Sequence, residues 1–503
     1  MEKNIPALLE EAAARFPHRT AYEDEACSMT FQEVRRLAAS IGTGIAALNC
    51  PGRPVAVFME KGALMTAALL GTVCGGCCYC PVDVAMPKAR MDRILSVLEP
   101  AAVLASKALE AKAREICGDC PVLLVEDLAA GPANEALLAS LRARIEPSDP
   151  LSILFTSGST GVPKGVVGTH RMVLNNLEWL ASRFSLGPDD VLGNQAPLHF
   201  VVADHDLYCP LKFGCRSFFI PPVYFSFPAR LIPLLNRHRV TTVFWVPFAL
   251  GTVASLCALD EILPEYLRYV FFVGEVMPVR QLDYWRSHVP SARYINLYGS
   301  TEMYMCCYYE VGQGDTEAGA LPIGRPCGGI EALVLDEEDR ELLPGDGGTG
   351  ELCIRGQTVG PGYYRDPEQT ARKYVRNPLA AGSREVIYRT GDLVRYGKDG
   401  LLEYCGRMDH QIKHLGYRIE LGEIEAAAGR LPGVSGCACV YDHKKQRILL
   451  FYDGRETDRK ALSSGLAQQL PRYMLPSRYV YLEQLPRTAS GKIDRKYLQE
   501  QYS

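Results

Sequence analysis

The sequence predicts an α/β protein with a large amino-terminal domain of layered α/β subdomains, a β-rich subdomain within it, and a small α+β carboxy-terminal domain. The chain has 503 residues, more than one ordinary hydrophobic core accommodates. Strand-like apolar runs alternate with helix-like stretches up to about residue 330, a pattern typical of layered, largely parallel sheets. Short strands separated by turns follow, and a helix–strand–helix pattern resumes after residue 409.

Particular segments support each part of this prediction. "MVLNNLEWLASRF" (172–184) reads as an amphipathic helix, and two other runs, "TTVFWVPFAL" (241–250) and "RYVFFVGEVMP" (268–278), read as buried strands. Turn-rich strands such as "GLLEYCGRMD" (400–409) indicate the β-rich subdomain. The predicted boundaries are an amino-terminal domain at 1–408, its β-rich subdomain at about 330–405, and a carboxy-terminal domain at 409–503.

Charge and composition exclude several classes of partner. The net charge of −4 is too small to indicate nucleic acid or an anionic membrane surface as a partner. No basic amino-terminal stretch precedes an apolar run, so we expect no secretory signal. The cysteines are scattered, and the C-x-x-C pairs Cys77/Cys80 and Cys117/Cys120 lack flanking histidines, so they read as core residues in a reducing compartment. We therefore expect a cytoplasmic protein.

The uncharged segment "GALMTAALLGTVCGGCCYCPV" (62–82) is long enough to suggest a membrane span. Gly75 and Gly76 interrupt it, however, and β-branched and aromatic residues gather after the glycines. A buried helix that ends at the glycines, followed by a buried strand, explains this pattern better. We therefore predict that no segment crosses a membrane.

The segment "LFTSGSTGVPKGVV" (154–167) combines two glycines with hydroxyl side chains and a lysine. The glycines permit a tight turn, and the hydroxyls, peptide N–H groups and lysine suit an anion with several oxygens, above all phosphate. The spacing is not that of a Walker motif. A plain turn between a strand and a helix is the alternative. The predicted phosphate-binding residues are Thr156, Ser157, Gly158, Ser159, Thr160, Gly161 and Lys164.

Four further clusters accompany this loop. Glu302 follows a strand end at a turn, and a carboxylate beside phosphates is what Mg²⁺ requires. Asp392 follows a glycine, where its carboxylate can accept hydrogen bonds from both hydroxyls of a ribose. Each cluster alone also reads as a surface turn, but their common order along the chain indicates one nucleotide site. The four are "NLYGSTE" (296–302), "YRTGDLVR" (388–395), "GRMDHQIKHLGYRIELGEIE" (406–425) and "PRTASGKIDRKYL" (486–498).

With these motifs, and with "MTFQEVRRLA" (29–38) and "GELCIRG" (350–356), the chain resembles the adenylate-forming enzymes over essentially its whole length. That family includes nonribosomal peptide synthetase adenylation domains, acyl- and aryl-CoA ligases and luciferases. "QIKHLGYRIELGEIE" (411–425) and the chain length look closest to free-standing enzymes such as D-alanine–carrier protein ligase. The resemblance implies ATP-dependent adenylation of a carboxylic acid, with Mg²⁺ as cofactor, followed by transfer to a thiol.

The resemblance also implies a role for each motif in binding ATP. The loop with Lys164 would hold the β- and γ-phosphates. Glu302 would bind Mg²⁺, and Thr301 would contact the α-phosphate, where charge develops during adenylation. The residues expected around the adenine and the ribose are Gly274, Glu275, Asn296, Tyr298, Gly299, Ser300, Asp392 and Arg407.

A mobile carboxy-terminal domain is a further implication of the resemblance. Lys492 would bridge the substrate carboxylate and the α-phosphate during adenylation. The domain would then rotate about a hinge at Asp409, withdraw Lys492 and bring the segment near Gly416 to the acyl-adenylate. A glycine there would let a pantetheine arm pass close to the backbone. Alternatively, Asp409 is a helix cap or a plain linker residue.

The expected acid pocket departs from that of the amino-acid-activating enzymes. There an aspartate pairs with the substrate's α-ammonium, but "APLHFVVADHDLYCPL" (196–211) has Val201 at that position. Because a buried ammonium without a counter-ion is costly, we expect a compact apolar or aryl acid. Asp204, one helical turn further on, is the alternative partner for an amine. The residues expected to line the pocket are Val201, Val202, His205, Trp245, Phe271, Val273, Leu297, Met305 and Cys306.

Three functions stay open on the sequence alone. The first is a ligase that loads a small carboxylic acid onto the phosphopantetheine thiol of a carrier protein, as in nonribosomal peptide synthesis. We expect that carrier to be a separate protein, since the chain ends soon after Lys492. The second is an acyl- or aryl-CoA ligase that uses free CoA. The third is a non-catalytic nucleotide-binding module, against which the presence of both Glu302 and Lys492 argues.

Overall fold

The computed structural model describes residues 3–158, 161–312, 314–315, 320–380, 382–409, 411–488 and 493–502. The chain divides into two compact units. The first unit comprises Met1–Asp83, Glu99–Leu154 and Val166–Met408. The second unit comprises Val84–Leu98, Phe155–Gly165 and Asp409–Ser503, so it includes two segments that the sequence analysis assigned to the amino-terminal domain.

In the described residues the strands are β1 (Thr20–Glu23), β2 (Ser28–Thr30), β3 (Pro54–Phe58), β4 (Cys78–Pro81), β5 (Ala102–Ala105), β6 (Val122–Leu124), β7 (Pro150–Thr156), β8 (Lys164–Thr169), β9 (Val191–Asn194), β10 (Arg216–Phe219), β11 (Thr242–Trp245), β12 (Tyr269–Val273), β13 (Arg293–Ser300), β14 (Tyr304–Glu310), β15 (Arg325–Pro326), β16 (Ile330–Leu335), β17 (Gly350–Gly356), β18 (Tyr374–Arg376), β19 (Val386–Tyr396), β20 (Leu402–Arg407), β21 (Gln411–His414), β22 (Tyr417–Glu420), β23 (Val434–Asp442), β24 (Arg447–Gly454) and β25 (Arg478–Tyr481).

The α-helices are α1 (Ile5–Arg15), α2 (Phe31–Ala46), α3 (Ala63–Cys74), α4 (Lys88–Leu98), α5 (Glu110–Cys117), α6 (Val125–Ala130), α7 (Glu135–Arg144), α8 (His170–Arg183), α9 (Asp204–Phe213), α10 (Pro228–Arg237), α11 (Pro247–Ser255), α12 (Val279–His288), α13 (Pro367–Lys373), α14 (Leu421–Ala428), α15 (Arg459–Ala467) and α16 (Arg495–Tyr502).

Two large sheets form the frame of the amino-terminal part, as the alternating pattern predicts. One sheet has nine strands in the order β15-β14-β13-β12-β11-β9-β10-β1-β2, and the other has six in the order β6-β5-β3-β4-β7-β8. Within the nine-stranded sheet the central pairs are parallel, while β2, β14 and β15 pair antiparallel at its two ends. Strands β16 to β20 form the separate antiparallel sheet of the β-rich region. The predicted mixed α/β class is confirmed.

Both predicted buried strands are shorter than expected, and β12 ends at Val273. "TTVFWVPFAL" forms β11 only as far as Trp245, and α11 begins at Pro247. Proline lacks a peptide N–H and has a fixed φ, so it fits the first turn of a helix and not the interior of a central strand. The expected single strand is therefore a strand followed by a helix, and both parts are buried.

The apolar segment 62–82 folds as the glycine interruption predicts. Helix α3 ends at Cys74 with Gly75 as its C-cap, and β4 begins at Cys78 inside the six-stranded sheet. Throughout the part of the chain that the structure describes, no helix has both the length and the hydrophobicity needed to cross a bilayer.

The second unit has its own small core. Hairpin β21–β22, the three-stranded sheet β23-β24-β25 and helix α14 surround buried side chains such as Ile419, Ile424 and Leu450. Helix α4 contributes Arg90, which forms an ion pair with Glu423 of α14, and both side chains are almost completely buried. A buried pair of this kind ties α4 to α14, since removing either partner would leave an uncompensated charge.

Candidate functional site

The ends of the parallel strands of the nine-stranded sheet carry most of the predicted site residues of the first unit. In open α/β sheets, ligands bind outside the carboxyl ends of such strands. Gly274 and Glu275 directly follow β12. Asn296, Tyr298, Gly299 and Ser300 lie on the last part of β13, where Asn296 Nδ2 donates to Pro322 O at 2.9 Å.

Asp392 lies at the centre of a buried polar cluster in the first unit. Its Oδ2 accepts a short hydrogen bond from the Tyr298 hydroxyl, and its Oδ1 lies 2.6 Å from Arg407 Nη1. Arg407 also donates to Thr390 O at 3.3 Å. The antiparallel register of β19 and β20 places Asp392 opposite Arg407, so the sheet itself aligns the pair. Three residues from distant motifs therefore meet around one carboxylate.

Thr301 and Glu302 occupy the turn between β13 and β14. Glu302 is completely buried, and its Oε1 accepts a hydrogen bond of 2.9 Å from the hydroxyl of Tyr363. A buried carboxylate held by a neutral donor is a suitable hard oxygen ligand for Mg²⁺, which takes one or two carboxylates and completes its shell with phosphates and water. Among the described residues no group of three or more His, Cys, Asp or Glu could hold a metal ion alone, so phosphate oxygens would have to supply further ligands.

The glycine-rich loop belongs to the second unit and joins two strands, β7 and β8, of one sheet. The alternative of a turn from a strand to a helix is therefore wrong, since α8 begins only after β8. A Cβ atom on Gly158 would lie 1.9 Å from Val162 O, so the chain closes too tightly there for any other residue. Ser159 and Thr160 lie outside the described residues.

Side chains of this loop contact the carboxy-terminal part of the same unit. Ser157 Oγ donates to Arg418 O at 2.9 Å and accepts from the backbone N–H of Glu420 at 3.1 Å. Lys164 Nζ lies 3.4 Å from Glu420 Oε1, and both side chains are nearly buried. The Thr156 hydroxyl is buried without a hydrogen-bond partner. The loop therefore holds donors and a cation within a well-packed unit.

The predicted hinge and thiol segment are partly described. Asp409 is exposed, and its Oδ1 accepts a hydrogen bond of 3.1 Å from the N–H of Gln411. Gly416 follows Leu415 in the turn of the β21–β22 hairpin, and both residues have positive φ, 54° and 82°. Two consecutive positive φ angles are typical of the tight turns that favour glycine. Lys492 lies outside the described residues.

The predicted acid pocket is mostly buried in the first unit, with one correction. The His205 ring stacks on Phe244 at 4.2 Å, and Phe244 stacks on Phe271 at 4.4 Å. Trp245 lies in a different hydrophobic cluster, where its Nε1 donates to Gly193 O. The expectation for Trp245 is wrong because neighbouring residues of a strand point to opposite faces, and Phe244 takes that place. Buried with Phe244 are Val202, Phe271, Val273, Leu297, Met305 and Cys306.

A small cavity of the first unit connects the reactive turn with the start of α9. Val201, Asp204, Thr301 and Tyr304 line one part of it, and the remaining wall comes from β7, β8 and α8. Tyr304 has a positive φ of 57°, which is unusual for a bulky residue and marks local strain. Tyr304, Tyr363 and Phe244 are not among the residues predicted from the sequence. Only Phe244 had a signal in the sequence, the alternation of side chains along β11.

Comparisons with known proteins agree with this geometry. The family model "AMP-binding enzyme" matches residues 9–364, and "AMP-binding enzyme C-terminal domain" matches residues 423–492. One component of the mycosubtilin synthase of Bacillus subtilis is 33% identical over 99% of this chain, which spans only 19% of that protein. An L-proline–[L-prolyl-carrier protein] ligase of Streptomyces coelicolor is 34% identical over 89% of this chain and 87% of its own length.

Among solved structures, holo-PA1221, described as an NRPS protein containing adenylation and PCP domains, superposes with a TM-score of 0.85 at 26% identity. The match covers 99% of this chain and 84% of that one. The motifs, the fold and the family matches agree, and the chain belongs to the AMP-binding, adenylate-forming enzymes as an AMP-forming acid–thiol ligase.

Proposed function

We propose that the protein adenylates a small carboxylic acid with ATP and transfers the acyl group to the phosphopantetheine thiol of a carrier protein. The observation that carries the adenylation step is the buried Asp392 carboxylate, fixed by Tyr298 and Arg407. The carrier protein as acceptor is supported by the ligase of Streptomyces coelicolor, whose name specifies that acceptor and most of whose length matches this chain.

The chemistry divides into two steps that each need a different environment. In the first, a carboxylate oxygen attacks the α-phosphorus of ATP, an acyl–O–P bond forms, and the bond to pyrophosphate breaks. In the second, a thiolate attacks the acyl carbon, a thioester forms, and AMP leaves with the electron pair of the broken C–O bond. The first step concentrates negative charge on the phosphates, so the protein must aim cations and hydrogen-bond donors at them.

Residues of the first unit suit the nucleoside end of ATP and its metal. Asp392 and Arg407 would hold the ribose, with Tyr298 and the residues after β12 beside the adenine. Glu302 would bind Mg²⁺, which supplies electrostatic stabilisation of phosphate charge when it is bound. Thr301, next to Glu302 in the same turn, would donate its hydroxyl to the α-phosphate.

Residues of the second unit suit the phosphates and the thiol. The hydroxyls and peptide N–H groups of the loop, with Lys164, would bind the β- and γ-phosphates. We assign Lys492 to the adenylation step, because a cation between two anions favours their approach. The turn at Gly416 is assigned to thiol transfer, and Asp409 to the hinge that separates the two steps.

Two observations bear on the acid that is activated. The stacked rings of His205, Phe244 and Phe271 leave an aromatic and mostly apolar wall, which suits a compact acid. The carrier-protein ligase named above acts on L-proline according to its name, which supports an amino acid as the substrate class here. Val201 in place of the usual aspartate means that any amine must be recognised differently.

ATP–pyrophosphate exchange with a panel of amino, aryl and short aliphatic acids tests this proposal. We expect exchange that depends on one class of acid and stops when EDTA removes Mg²⁺. Incubation of the active acid with ATP and either a phosphopantetheinylated carrier protein or free CoA, followed by mass spectrometry, then identifies the acceptor. Absence of exchange with the whole panel would contradict adenylation, and thioester on CoA alone would contradict the carrier protein as acceptor.

A further inference from the structure

The Asp204 side chain is a buried carboxylate with unused hydrogen-bonding capacity. It lies at the first position of α9 and is only 3% exposed. The Tyr304 hydroxyl faces this side chain, and Asp204 Oδ1 has no hydrogen-bond partner. None of the described lysine, arginine or histidine side chains forms an ion pair with this carboxylate. Native proteins seldom leave a buried polar atom without a hydrogen-bond partner, so we expect Oδ1 to bind a group that the described residues do not supply.

The surroundings of Asp204 do not compensate for its burial. The titratable groups that face it are three tyrosine hydroxyls, Tyr79 on β4, Tyr208 on α9 and Tyr304 on β14. The hydroxyls of Tyr79 and Tyr208 lie 2.5 Å apart and bond to each other. Burial therefore raises the pKa of Asp204 to about 8. No lysine, arginine or histidine among the described residues supplies the positive charge that would stabilise the ionised form of Asp204.

Asp204 is one of the residues that line the cavity described above. Thr301, the expected contact of the α-phosphate, lines the same cavity, as does Val201. The remaining wall is mostly apolar, with side chains such as Leu154, Val166 and Met172. The cavity has a volume of only about 10 Å³ for water-sized groups, so it could take the amine of a small molecule whose carboxylate lies near Thr301 but not the whole molecule.

We propose that Asp204 Oδ1 receives the ammonium group of the substrate, so that the acid activated by this enzyme is a small amino acid whose amine enters this cavity. This inference rests on the proposed function. An ammonium group supplies both the missing positive charge and additional hydrogen-bond donors. Tyr304, held in a strained backbone conformation, faces the carboxylate from the other side and acts as a positioning residue.

The neighbouring polar residues of α9 are less suitable partners for an amine. His205 Nδ1 lies 3.0 Å from Val202 O, and burial lowers the pKa of this imidazole to about 4, so it carries no charge that could attract or repel the ligand strongly. Asp206 accepts a hydrogen bond of 2.7 Å from Asn194 Nδ2 and is stabilised by the positive charge of Lys61. Asp206 Oδ1 also lacks a hydrogen-bond partner, but Asp206 has Lys61 as a cation within the protein and does not line the cavity.

The exchange assay on the native enzyme and on one variant tests the inference. For the amino acid that is most active with the native enzyme, Asp204→Asn should lower kcat/KM about 100-fold or more, because an ammonium would be buried without its counter-ion. The KM for ATP should stay within about twofold, and the melting temperature should not fall. Activity of the native enzyme with amine-free acids alone, or an Asp204→Asn variant within about threefold of native, overturns the inference.

A measurement on the native enzyme keeps the test valid even if Asp204→Asn does not fold. Two non-hydrolysable acyl-adenosine sulfamates are compared, one that carries the amine and one that lacks it. Their binding is measured by calorimetry at pH 7 in buffers of different ionisation enthalpy. Binding of the amine-bearing compound should release close to one proton, because an adjacent ammonium lowers the pKa of Asp204. The amine-free compound should release none. Equal proton release by both compounds overturns the inference but leaves adenylation itself intact, since exchange tests that separately.

Discussion

Asp392 and Asp204 are buried aspartates of the same unit, and they differ in the protein groups that contact their carboxyl oxygens. Asp392 is 4% exposed and has both oxygens engaged, one by the Tyr298 hydroxyl and one by the Arg407 guanidinium. Asp204 is 3% exposed, faces the Tyr304 hydroxyl, and retains an oxygen without a partner. The two aspartates are therefore buried to nearly the same extent. What distinguishes them is that only Asp392 has a positively charged partner within the described part of the protein.

Asp392 thus belongs to a site whose charges are already paired, whereas Asp204 belongs to a site that lacks a positively charged group in the part of the chain that the structure describes. At Asp392 the protein itself neutralises the carboxylate, so that a neutral ribose can bind there without adding charge. Asp204 has no cation among the described side chains and keeps a proton near neutral pH, so a positively charged ligand has more to contribute there. The proposed binding site for the nucleoside is thus preorganised by the protein, whereas in the proposed binding site for the acid the ligand supplies the missing charge.

Replacing each aspartate by asparagine in turn is the most direct test of this difference. Asp392→Asn should lower the free energy of unfolding by about 4 kcal/mol, because the largely buried Arg407 loses its counter-ion. Asp204→Asn should not lower the free energy of unfolding, since no internal cation that the structure describes depends on Asp204. The three tryptophans, Trp179, Trp245 and Trp285, all belong to the first unit, so urea unfolding followed by tryptophan fluorescence reports on the right part of the chain. Equal losses for the two variants would contradict the distinction.

The proposed division between adenylation and thiol transfer gives the next effect. Lys492→Ala should slow ATP–pyrophosphate exchange about a hundredfold, or about 3 kcal/mol, because Lys492 would act on charge that develops in the first step. Thioester formation from preformed acyl-adenylate should stay within a few-fold of the native rate. Rapid-quench measurement of both half-reactions decides the point. Similar losses in both would show that Lys492 is not specific to adenylation.

A third prediction concerns the part of the pH dependence of stability that Asp204 produces. The pKa of Asp204 is about 8 in the folded protein against 3.8 for an ordinary aspartate, so the folded state holds a proton that the unfolded state releases between these values. The native enzyme should therefore lose stability relative to Asp204→Asn as pH rises from 4 to 8, by at most about 1.4 kcal/mol per pH unit. Below pH 4 and above pH 8 the difference should stay constant. Parallel urea titrations of both proteins at pH 5, 6.5 and 8 measure it, and a constant difference across that range would contradict the raised pKa.

The sequence was sufficient for most of the fold and for the motifs of the site. Alternating apolar runs predicted the parallel sheets, and the glycines at the end of α3 correctly excluded a membrane helix. Trp245 was assigned to the acid pocket because a shift of one residue along a strand cannot be detected from motif spacing. In the sheet that shift reverses the face, and Phe244 is the residue that stacks on Phe271.

Other features depend on contacts that no local pattern encodes. The orphan oxygen of Asp204 follows from which side chains surround α9, and those come from β4 and β14, far away in the sequence. The sequence named Asp204 only as an alternative partner for an amine. In the same way, the side chain of Tyr363 reaches Glu302 from 61 residues further along the chain.

The contacts of the glycine-rich loop have a consequence for attempts to build hybrid enzymes. Ser157 and Lys164 contact residues of β22, and Arg90 of α4 is buried against Glu423 of α14. A chimera that exchanges only the segment after Met408 would therefore divide a single core between two parents. The exchanged segment has to bring compatible residues at positions 418, 420 and 423, or the segments 84–98 and 155–165 must be exchanged with it. The unit that can be transferred intact is thus discontinuous in sequence.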